Sequence, residues 1–393
     1  MPRCASLVLV VLAGFVSLAG QQQRTFRAGT DVIVVDVQVV DRRGQPVRGL
    51  QADDFDVRID RQRRRVLSVE AVQFGAGGAR EPAAHAGQRA GGPGDEGRDF
   101  VLAIDESSFQ PLHGMAAREA AKRFIERLEP SDRVGLYTYP VHGPDLVLTT
   151  DHQQVLSQLE HVVGVLDLPQ AEYRLSLSEV FDLTAGDEDA LTRISRRECP
   201  QAPGPCRQRV TIQAQGLALA FEGQVGQSVN GLRTLLRALT GYSGRRTLVL
   251  VSGGLLASDR VGGRPDVSSV IDDIAREAAL ANVNLYVLHM DSSFIDAFSP
   301  KGAGVRASFM RDATALGAGL DRFAGLAGGA LFRVQAGTGD AAFERVLTET
   351  SAYYLLGVEP DPADRDGRPH KISVNVRARG AQVRSRTTVV IPN

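Results

Sequence analysis

The spacing of apolar and polar residues changes along this chain and divides it into regions. Residues 31–40 (DVIVVDVQVV) are β-branched and partly alternate apolar with polar side chains, which is typical of a half-buried strand. Two further β-rich runs follow at 55–59 and 66–74. We therefore predict a small antiparallel β unit over residues 25–74. A unit of about 50 residues buries little apolar surface, so it should pack on another part of the chain.

Beyond residue 98 the pattern changes to short apolar runs separated by stretches of helical periodicity. Residues 75–98 are rich in Gly, Ala and Pro and are typical of a flexible linker. The apolar runs that follow have strand length and lie at 100–104, 133–139, 246–251, 283–288 and 330–334, with a further predicted strand at 145–149. Strands that are apolar on both faces and alternate with helices predict a doubly wound, mainly parallel α/β sheet over residues 99–350.

Residues 170–240 form a predicted helical insertion in this α/β region. Ser176 and Glu179 have the spacing of a capping box, and residues 188–196 are helix-like. From 210 to 239 apolar residues recur every three or four positions, which predicts one long amphipathic helix of about 50 Å that projects beyond the sheet. The run contains three glycines, Gly216, Gly223 and Gly226. Each weakens a helix by about 1 kcal/mol, so a break near the middle one is the alternative.

The carboxy-terminal stretch, residues 351–393, returns to strand periodicity. Residues 353–358, 371–376 and 382–391 are predicted strands. We expect them to pack with the amino-terminal β unit as one small β-sandwich. The predicted fold class is therefore α/β, a doubly wound sheet with a helical insertion, plus a sandwich built from both ends of the chain.

The first 20 residues have the pattern of a secretory signal peptide. Arg3 precedes an apolar run at 7–16, and small residues follow at 17–20. The alternative is a membrane anchor, but a span needs about 18 or more apolar residues and this run is shorter. We expect a mature chain that starts near Gln21, is periplasmic or extracellular, and has no membrane insertion after signal cleavage.

The charge balance excludes a polybasic binding protein. The chain has 45 Lys plus Arg and 46 Asp plus Glu, a net charge of -1. No bulk attraction to nucleic acid or to anionic membrane follows from this composition, so we expect no nucleic-acid partner. The expected partner is a protein, whose identity the composition does not indicate.

Export also determines how the cysteines are interpreted. Cys4 leaves with the signal peptide, and Cys199 and Cys206 then remain in a compartment where disulfides persist. We expect these two to pair. Two thiols without a nearby histidine or a further cysteine do not make a zinc site.

Four segments, in this order, resemble the von Willebrand factor type A domain, in the form found in secreted acidobacterial proteins. They are GLQADDF at 49–55, residues 100–108, the run GRRTLVLVSGG from Gly244, and YYLLG at 353–357 followed by DGRPHK at 366–371. The resemblance covers nearly the whole mature chain. It implies a ligand surface where the first and fourth strands of the sheet end, at the topological switch point.

Domains of this family usually carry a metal-ion-dependent adhesion site, with Asp-x-Ser-x-Ser after the first strand, a Thr from a second loop and an Asp after the fourth strand. Asp105 and Ser107 match its first two positions. Phe109 stands at the third, Gly253 stands where the second carboxylate belongs, and Ser228, the nearest substitute for Thr, falls inside the predicted long helix. We therefore expect a degenerate site without bound Mg²⁺ or Ca²⁺. The residues expected to face a ligand are Glu106, Ser108, Ser252 and Gly253.

An alternative role for Asp105 and Ser107 is local: Asp105 would cap the following turn, and Ser107 would bond backbone. At the level of function, the prediction is an exported, non-enzymatic binding module for adhesion or assembly, without a cofactor.

A secreted metal-dependent or hydrolytic enzyme is the alternative function. It would use Asp105 together with His113, His289 and Asp291. The chain has no G-x-S-x-G elbow around Ser252, no phosphate-binding loop and no dinucleotide fingerprint after the first strand of the sheet, so the usual α/β cofactors are not expected.

Overall fold

The coordinates are those of a computed structural model, which describes residues 32–74, 97–140, 146–167, 169, 171–240, 245–281, 283–291, 308–335 and 339–392. These residues form a five-stranded parallel sheet flanked by helices, and two four-stranded antiparallel sheets. The predicted signal peptide and residues 75–96 of the predicted linker lie outside the described residues.

The described strands are β1 Ile33–Val40, β2 Phe55–Ile59, β3 Gln62–Arg64, β4 Val66–Gln73, β5 Asp99–Asp105, β6 Arg133–Tyr139, β7 Arg246–Ser252, β8 Val283–Asp291, β9 Ala330–Gln335, β10 Ala352–Val358, β11 Pro369–Val376, β12 Gln382–Ser385 and β13 Thr388–Val390. The described helices are α1 Pro111–Ile125, α2 His152–Leu159, α3 Leu177–Thr184, α4 Glu188–Glu198, α5 Pro203–Thr240, α6 Ser268–Leu280, α7 Phe309–Leu326 and α8 Gly339–Glu349. Short 3-10 turns occur at Ala52–Asp54, Glu106–Ser108 and Pro362–Asp364.

The parallel sheet has the strand order β6-β5-β7-β8-β9, and every neighbouring pair is parallel. One face packs against α5, α6 and α7, and the other against α1, α2 and α8. Because both faces are covered, β5 and β7 are almost entirely buried, which explains their continuous apolar sequence. The predicted doubly wound α/β sheet is confirmed. Its strand order reverses between β5 and β7, so their carboxyl ends form the topological switch point.

The strand predicted at 145–149 is wrong for the part of it that the structure describes. Thr149 makes an isolated antiparallel bridge with Val134, and residues 146–148 are not in a strand. The reason lies in β6, where Gly135 has no side chain: a Cβ there would lie 2.7 Å from the Leu146 side chain and 2.8 Å from the Val147 carbonyl oxygen. The segment therefore crosses the face of β6 instead of extending the sheet at its edge.

The remaining strands form the predicted β-sandwich from both ends of the chain. One sheet has the order β12-β1-β10-β4 and the other the order β13-β11-β2-β3. Val35 and Val37 of β1 and Leu356 of β10 point into the core between the sheets, where they meet Val57 of β2 and Val374 of β11. Alternate residues of each strand supply this core, as the alternating sequence predicts.

The last predicted strand, residues 382–391, is divided between the two sheets. β12 pairs with β1, whereas β13 pairs with β11. The chain crosses over at Arg386, whose guanidinium donates a hydrogen bond to the Val34 carbonyl oxygen at 2.9 Å. A strand that changes sheets serves as an edge strand in both layers. The alternation of apolar and polar residues does not show where such a crossover occurs.

The predicted long helix is continuous, so the alternative break near Gly223 is wrong. α5 has 38 residues, and at 1.5 Å per residue it is about 57 Å long. Its amino-terminal half packs against α3 and α4, which complete the helical insertion. α3 begins at Ser176, whose hydroxyl accepts the Glu179 N–H in the predicted capping box. Among the described helices, none is both long and apolar enough to cross a bilayer.

Cys199 at the end of α4 and Cys206 in the first turn of α5 place their sulfur atoms 1.94 Å apart, at bonding distance. We predict that non-reducing peptide mapping of the exported protein finds one peptide that links them. Replacing both by serine should lower the free energy of unfolding by at most about 2.5 kcal/mol, because the closed loop is short. Recovery of two freely alkylated thiols from the periplasm or the medium would contradict this prediction.

A buried polar network joins the sandwich to the parallel sheet. Gln38 of β1 accepts hydrogen bonds from the Tyr286 hydroxyl at 2.9 Å and the Asn284 amide at 3.2 Å, and it donates to the Glu349 carbonyl oxygen. The Glu349 carboxylate forms an ion pair with Arg384 of β12. Arg384 also lies over the Tyr286 ring, 5.4 Å from its centroid. These contacts connect elements from both parts of the fold.

Candidate functional site

The carboxyl ends of β5 and β7 bring the two candidate loops together. Asp105 is the last residue of β5, and Ser252 is the last residue of β7. The loops that follow are hydrogen-bonded to each other, since the Gly253 N–H donates to the Ser108 hydroxyl at 2.8 Å. This is the edge at which the resemblance to type A domains implies a ligand surface.

Four polar side chains meet at this edge, and we call them the hydroxyl cluster: Asp105, Ser107, Ser228 and Ser252. The Asp105 carboxylate accepts hydrogen bonds from Ser107 at 2.6 Å, from Ser228 at 2.6 Å and from Ser252 at 3.3 Å. The Ser107 and Ser228 hydroxyls lie 3.0 Å apart. All four residues are at most 4% exposed. The cluster is therefore a closed, buried network in which three hydroxyls satisfy one carboxylate.

Ser228 is the member that sequence analysis left out of the site. It lies in α5, as predicted, but α5 passes over the carboxyl edge of the sheet and turns this hydroxyl toward Asp105. A signal was present, because Ser228 interrupts the buried stripe formed by Val225, Val229 and Leu232. A polar residue on the apolar face of a helix needs a buried hydrogen-bond partner.

The local role considered for Asp105 and Ser107 accounts for part of their contacts. The backbone N–H of Ser107, in the 3-10 turn that follows, is one of the groups that lower the pKa of Asp105. The Ser107 hydroxyl bonds the Asp105 carboxylate instead of backbone, and Ser108 supplies the backbone contact by donating to the Asp105 carbonyl oxygen at 2.6 Å.

Burial dominates the electrostatics of the cluster. It raises the pKa of Asp105 to about 6, although the hydrogen bonds from Ser107, Ser228 and Ser252 act in the opposite direction. Desolvation penalises the charged carboxylate more strongly than three neutral hydroxyls can offset. Near neutral pH the group is thus close to its titration range.

The residues at this edge do not fit the metal ion that the resemblance implies. Phe109, at the third position of the motif, is buried. A Cβ at Gly253 would lie 2.4 Å from the Ser108 carbonyl oxygen and 3.1 Å from the Phe109 ring, so a second carboxylate has no room. Mg²⁺ usually keeps several water ligands, and a closed, buried cluster has no room for them. One carboxylate also neutralises only half of the charge of a divalent cation. Within the described ranges, no group of three or more His, Cys, Asp or Glu is placed to hold a metal.

Two of the residues expected to face a ligand are turned inward. Glu106 and Ser252 are each 1% exposed. One Glu106 carboxylate oxygen accepts the Val163 N–H at 2.9 Å, which holds the segment after α2 against the loop. Ser108 and Gly253 are partly exposed and remain accessible from outside.

Among the described residues, no hydrogen bond joins Asp105 to His289, two of the residues of the alternative enzyme. His289 on β8 is fully buried, and the backbone of Gly253 is the hydrogen-bonding group that acts on its ring. Burial lowers the pKa of His289, so its ring is neutral at physiological pH. Acid–base or nucleophilic catalysis needs a base within hydrogen-bond reach of the reacting group. The side chain of His113 lies outside the described residues.

Exposed apolar side chains lie beside the buried cluster. Met115, Val163 and Val165 are 52%, 49% and 40% exposed, and we call these three the apolar rim. They lie on adjacent segments, because a Cβ at Gly114 of α1 would be 2.5 Å from the Gly164 amide nitrogen. The Val165 N–H also donates to the Glu106 carbonyl oxygen at 2.9 Å, which ties the rim to the loop after β5.

No protein-family model matches the chain, and no curated protein matches it. Solved structures that are similar to it include the following three. The SpRpn10 VWA domain has 12% identity over 63% of this chain and 93% of that chain, with a TM-score of 0.26. Proximal thread matrix protein 1 from the mussel byssus, with a zinc-occupied MIDAS motif, has 9% identity over 68% and 48%, with a TM-score of 0.34. The pilus adhesin SpaC from Lactobacillus rhamnosus GG has 9% identity over 86% and 48%, with a TM-score of 0.31.

The last two comparisons span only 48% of the matched chains, and all three have low TM-scores. The fold assignment therefore rests on the strand order and the helix layers of the chain itself. The chain is a doubly wound α/β protein with a β-sandwich, and it is similar to von Willebrand factor type A domains.

Proposed function

We propose that this protein is an exported, non-enzymatic binding module for adhesion or assembly. It binds a protein partner at the carboxyl edge of the parallel sheet without a metal ion. One observation carries the proposal: this edge presents the exposed apolar rim beside a carboxylate that is buried and satisfied by hydroxyls. In a metal-dependent site that carboxylate would instead be available to a cation.

Apolar contacts replace the cation in this proposal. Adjacent exposed apolar side chains on a folded surface often mark a binding site, and the buried centres of protein interfaces are enriched in such side chains. The rim has a rigid support, because the loop that carries Val163 and Val165 is hydrogen-bonded to Glu106 and Phe109.

Support for export comes from two features. The first 20 residues have the pattern of a signal peptide. Cys199 and Cys206 lie at bonding distance, and such bonds persist outside the cytoplasm. Support for a non-enzymatic role comes from Asp105, whose described partners are three serine hydroxyls and include no general base.

The test is site-specific photo-crosslinking in the exported fraction of the source cells. A photoreactive residue at Val163 should give a protein adduct, whereas one at Val390 of β13, which is 45% exposed, is the matched control and should give none. Val165→Asp should reduce the adduct at Val163 about tenfold or more, because it places a charge in an apolar contact. Adduct yield should be the same with EDTA and with Mg²⁺.

The metal part of the proposal has a second readout on the purified chain. Millimolar Mg²⁺ or Ca²⁺ should leave the melting temperature unchanged, since a ligand stabilises only the state that binds it. A rise in melting temperature that Asp105→Ala abolishes would contradict metal-independent binding, as would an adduct that disappears with EDTA.

A further inference from the structure

A polar pocket lies at the opposite edge of the parallel sheet, where the sandwich meets it. Its lining includes Arg245 just before β7 and Asn284 near the start of β8, and from the sandwich Arg384, Ser385 and Arg386. The pocket is partly open to solvent, and its empty space is about 290 Å³ when the adjoining open solvent is included. We call it the arginine pocket. It is separate from the hydroxyl cluster, which lies at the carboxyl ends of the same strands.

The charges in the arginine pocket do not balance. Three of its lining residues are arginines, and one, Asp36, is acidic. Arg384 is paired with Glu349, which does not line the pocket. Arg245 and Arg386 have no carboxylate within ion-pair distance among the described residues. Two guanidinium groups thus share a confined space with one carboxylate, Asp36, which forms an ion pair with neither of them.

These two arginines have few hydrogen-bond acceptors among the described residues. Arg386 donates one bond, to the Val34 carbonyl oxygen, and its buried Nε has no partner. Arg245 is partly exposed and lies over the Tyr353 ring, 4.7 Å from its centroid. Burial lowers the pKa of Arg386; the Asp36 charge opposes this effect and the charge of Arg245 adds to it. A buried donor without an acceptor is costly, so an acceptor in the pocket would stabilise the fold.

Local backbone geometry keeps the pocket open. Gly328, in the turn before β9, also lines it and has a φ of +74°. A Cβ at this position would lie 2.7 Å from the Ser385 carbonyl oxygen. Glycine therefore allows the turn to approach β12 closely without a side chain that would fill the space.

We propose that the arginine pocket binds a small tetrahedral oxyanion of the phosphate or sulfate class. Guanidinium groups present planar N–H forks that match the oxygens of such anions, and the two unpaired arginines supply two forks from different parts of the fold. The bound anion accepts hydrogen bonds from Arg245 of the sheet and Arg386 of the sandwich. It therefore links the two parts at their junction and stabilises the whole chain.

The experiment compares the melting temperature of the purified chain in phosphate, sulfate, acetate and chloride at equal ionic strength. At about ten times its dissociation constant, phosphate should raise the melting temperature by about 2 °C relative to chloride. Sulfate should act like phosphate, and acetate like chloride. Isothermal titration with inorganic phosphate gives the dissociation constant directly.

Two variants and one matched control locate the site. Arg245→Gln should weaken phosphate binding about tenfold or more, and Arg386→Gln should do the same. In chloride, Arg245→Gln should melt at the same or a higher temperature than the parent chain, because it removes a like-charge contact. Arg237→Gln, at an arginine of α5 that is 72% exposed, should leave phosphate binding unchanged.

Three results would overturn the proposal. They are the absence of a phosphate effect, an equal effect in the parent chain and Arg245→Gln, and an equal effect of acetate. Because Arg245→Gln is expected to fold as well as the parent chain in chloride, a loss of its phosphate response reports on binding and not on misfolding. None of these outcomes depends on whether the apolar rim binds a partner.

Discussion

Replacing Glu349 by glutamine is expected to lower the free energy of unfolding by about 3–5 kcal/mol, the largest effect that we predict for a single side chain. The Glu349 side chain is fully buried, and its partner Arg384 has a side chain that is 9% exposed. Removing the carboxylate leaves two guanidinium groups without this counter-charge, that of the buried Arg384 and that of Arg345, whose Nε lies 2.7 Å from Glu349 Oε1. Removing one partner of a buried ion pair destabilises the protein by far more than the intact pair stabilises it. The reason is that the remaining charge stays buried without water or a counter-charge around it.

The consequence should extend across the junction between the two parts of the fold. Arg384 belongs to β12 of the sandwich, and it also packs on Tyr286 of the parallel sheet. The same helix end accepts a hydrogen bond from Gln38 of β1 at the Glu349 carbonyl oxygen. We therefore expect that amides of β12 and β1 lose protection from hydrogen exchange before those of β5 and β7.

The measurement is urea unfolding followed by far-UV circular dichroism, because the chain has no tryptophan for fluorescence. Glu344→Gln is the matched control on the same helix. Its ion pair with Arg127 spans 3.5 Å, the two side chains are 64% and 40% exposed, and its loss should cost about 0–1 kcal/mol. Equal effects of the two substitutions would contradict the prediction. Glu349→Leu combined with Arg384→Met should recover most of the lost stability, since apolar side chains can replace a buried pair.

Replacing Asp105 by asparagine is expected to stabilise the protein at neutral pH by about 3 kcal/mol. The pKa of this carboxyl is raised from 3.8 to about 6, because burial disfavours its charged form. Each pKa unit corresponds to about 1.4 kcal/mol of difference between the two protonation states, and the shift is about two units. Asparagine has the same shape and is never charged. It can still accept hydrogen bonds from the serine hydroxyls.

The sign of the pH dependence follows from proton binding. Between pH 3.8 and about 6 the native state keeps the Asp105 proton and the unfolded state releases it. The contribution of this group to the free energy of unfolding is therefore complete below pH 3.8, and it is lost as the pH rises through about 6. In Asp105→Asn this part of the pH dependence should vanish. The difference between the variant and the parent chain, measured by urea unfolding at a series of pH values, isolates Asp105 from the other titrating groups.

Asp182 provides a control, because its pKa is shifted in the opposite direction to that of Asp105. Burial raises its pKa, but the hydrogen bonds and charges of Arg311 and Arg260 outweigh burial, and the net pKa is lowered. Asp182→Asn should therefore destabilise the protein at neutral pH. If Asp105→Asn instead destabilised the protein at neutral pH, the hydroxyl cluster would require a charged carboxylate, as a cation site does.

The sequence by itself determined the elements of this fold and the faces that they bury. Apolar runs predicted the parallel strands, helical spacing predicted the long α5, and the pair Ser176 and Glu179 predicted the start of α3. These signals are local, because they depend on whether one face of a segment avoids water. Periodicity did not single out Asp105, Ser107, Phe109 or Gly253; the resemblance to type A domains did, through the positions of its metal-site motif.

Only the tertiary structure decided which elements cover which faces. Ser228 reaches Asp105 across 123 positions of the chain, at a point set by how α5 crosses the sheet. The exchange of sheets at Arg386 and the approach of Arg245 to it depend likewise on the docking of the sandwich. The hydrophobic periodicity of a segment shows that one of its faces is buried. It does not show which other segment covers that face. The closed hydroxyl cluster and the arginine pocket therefore became visible only when distant segments were packed together.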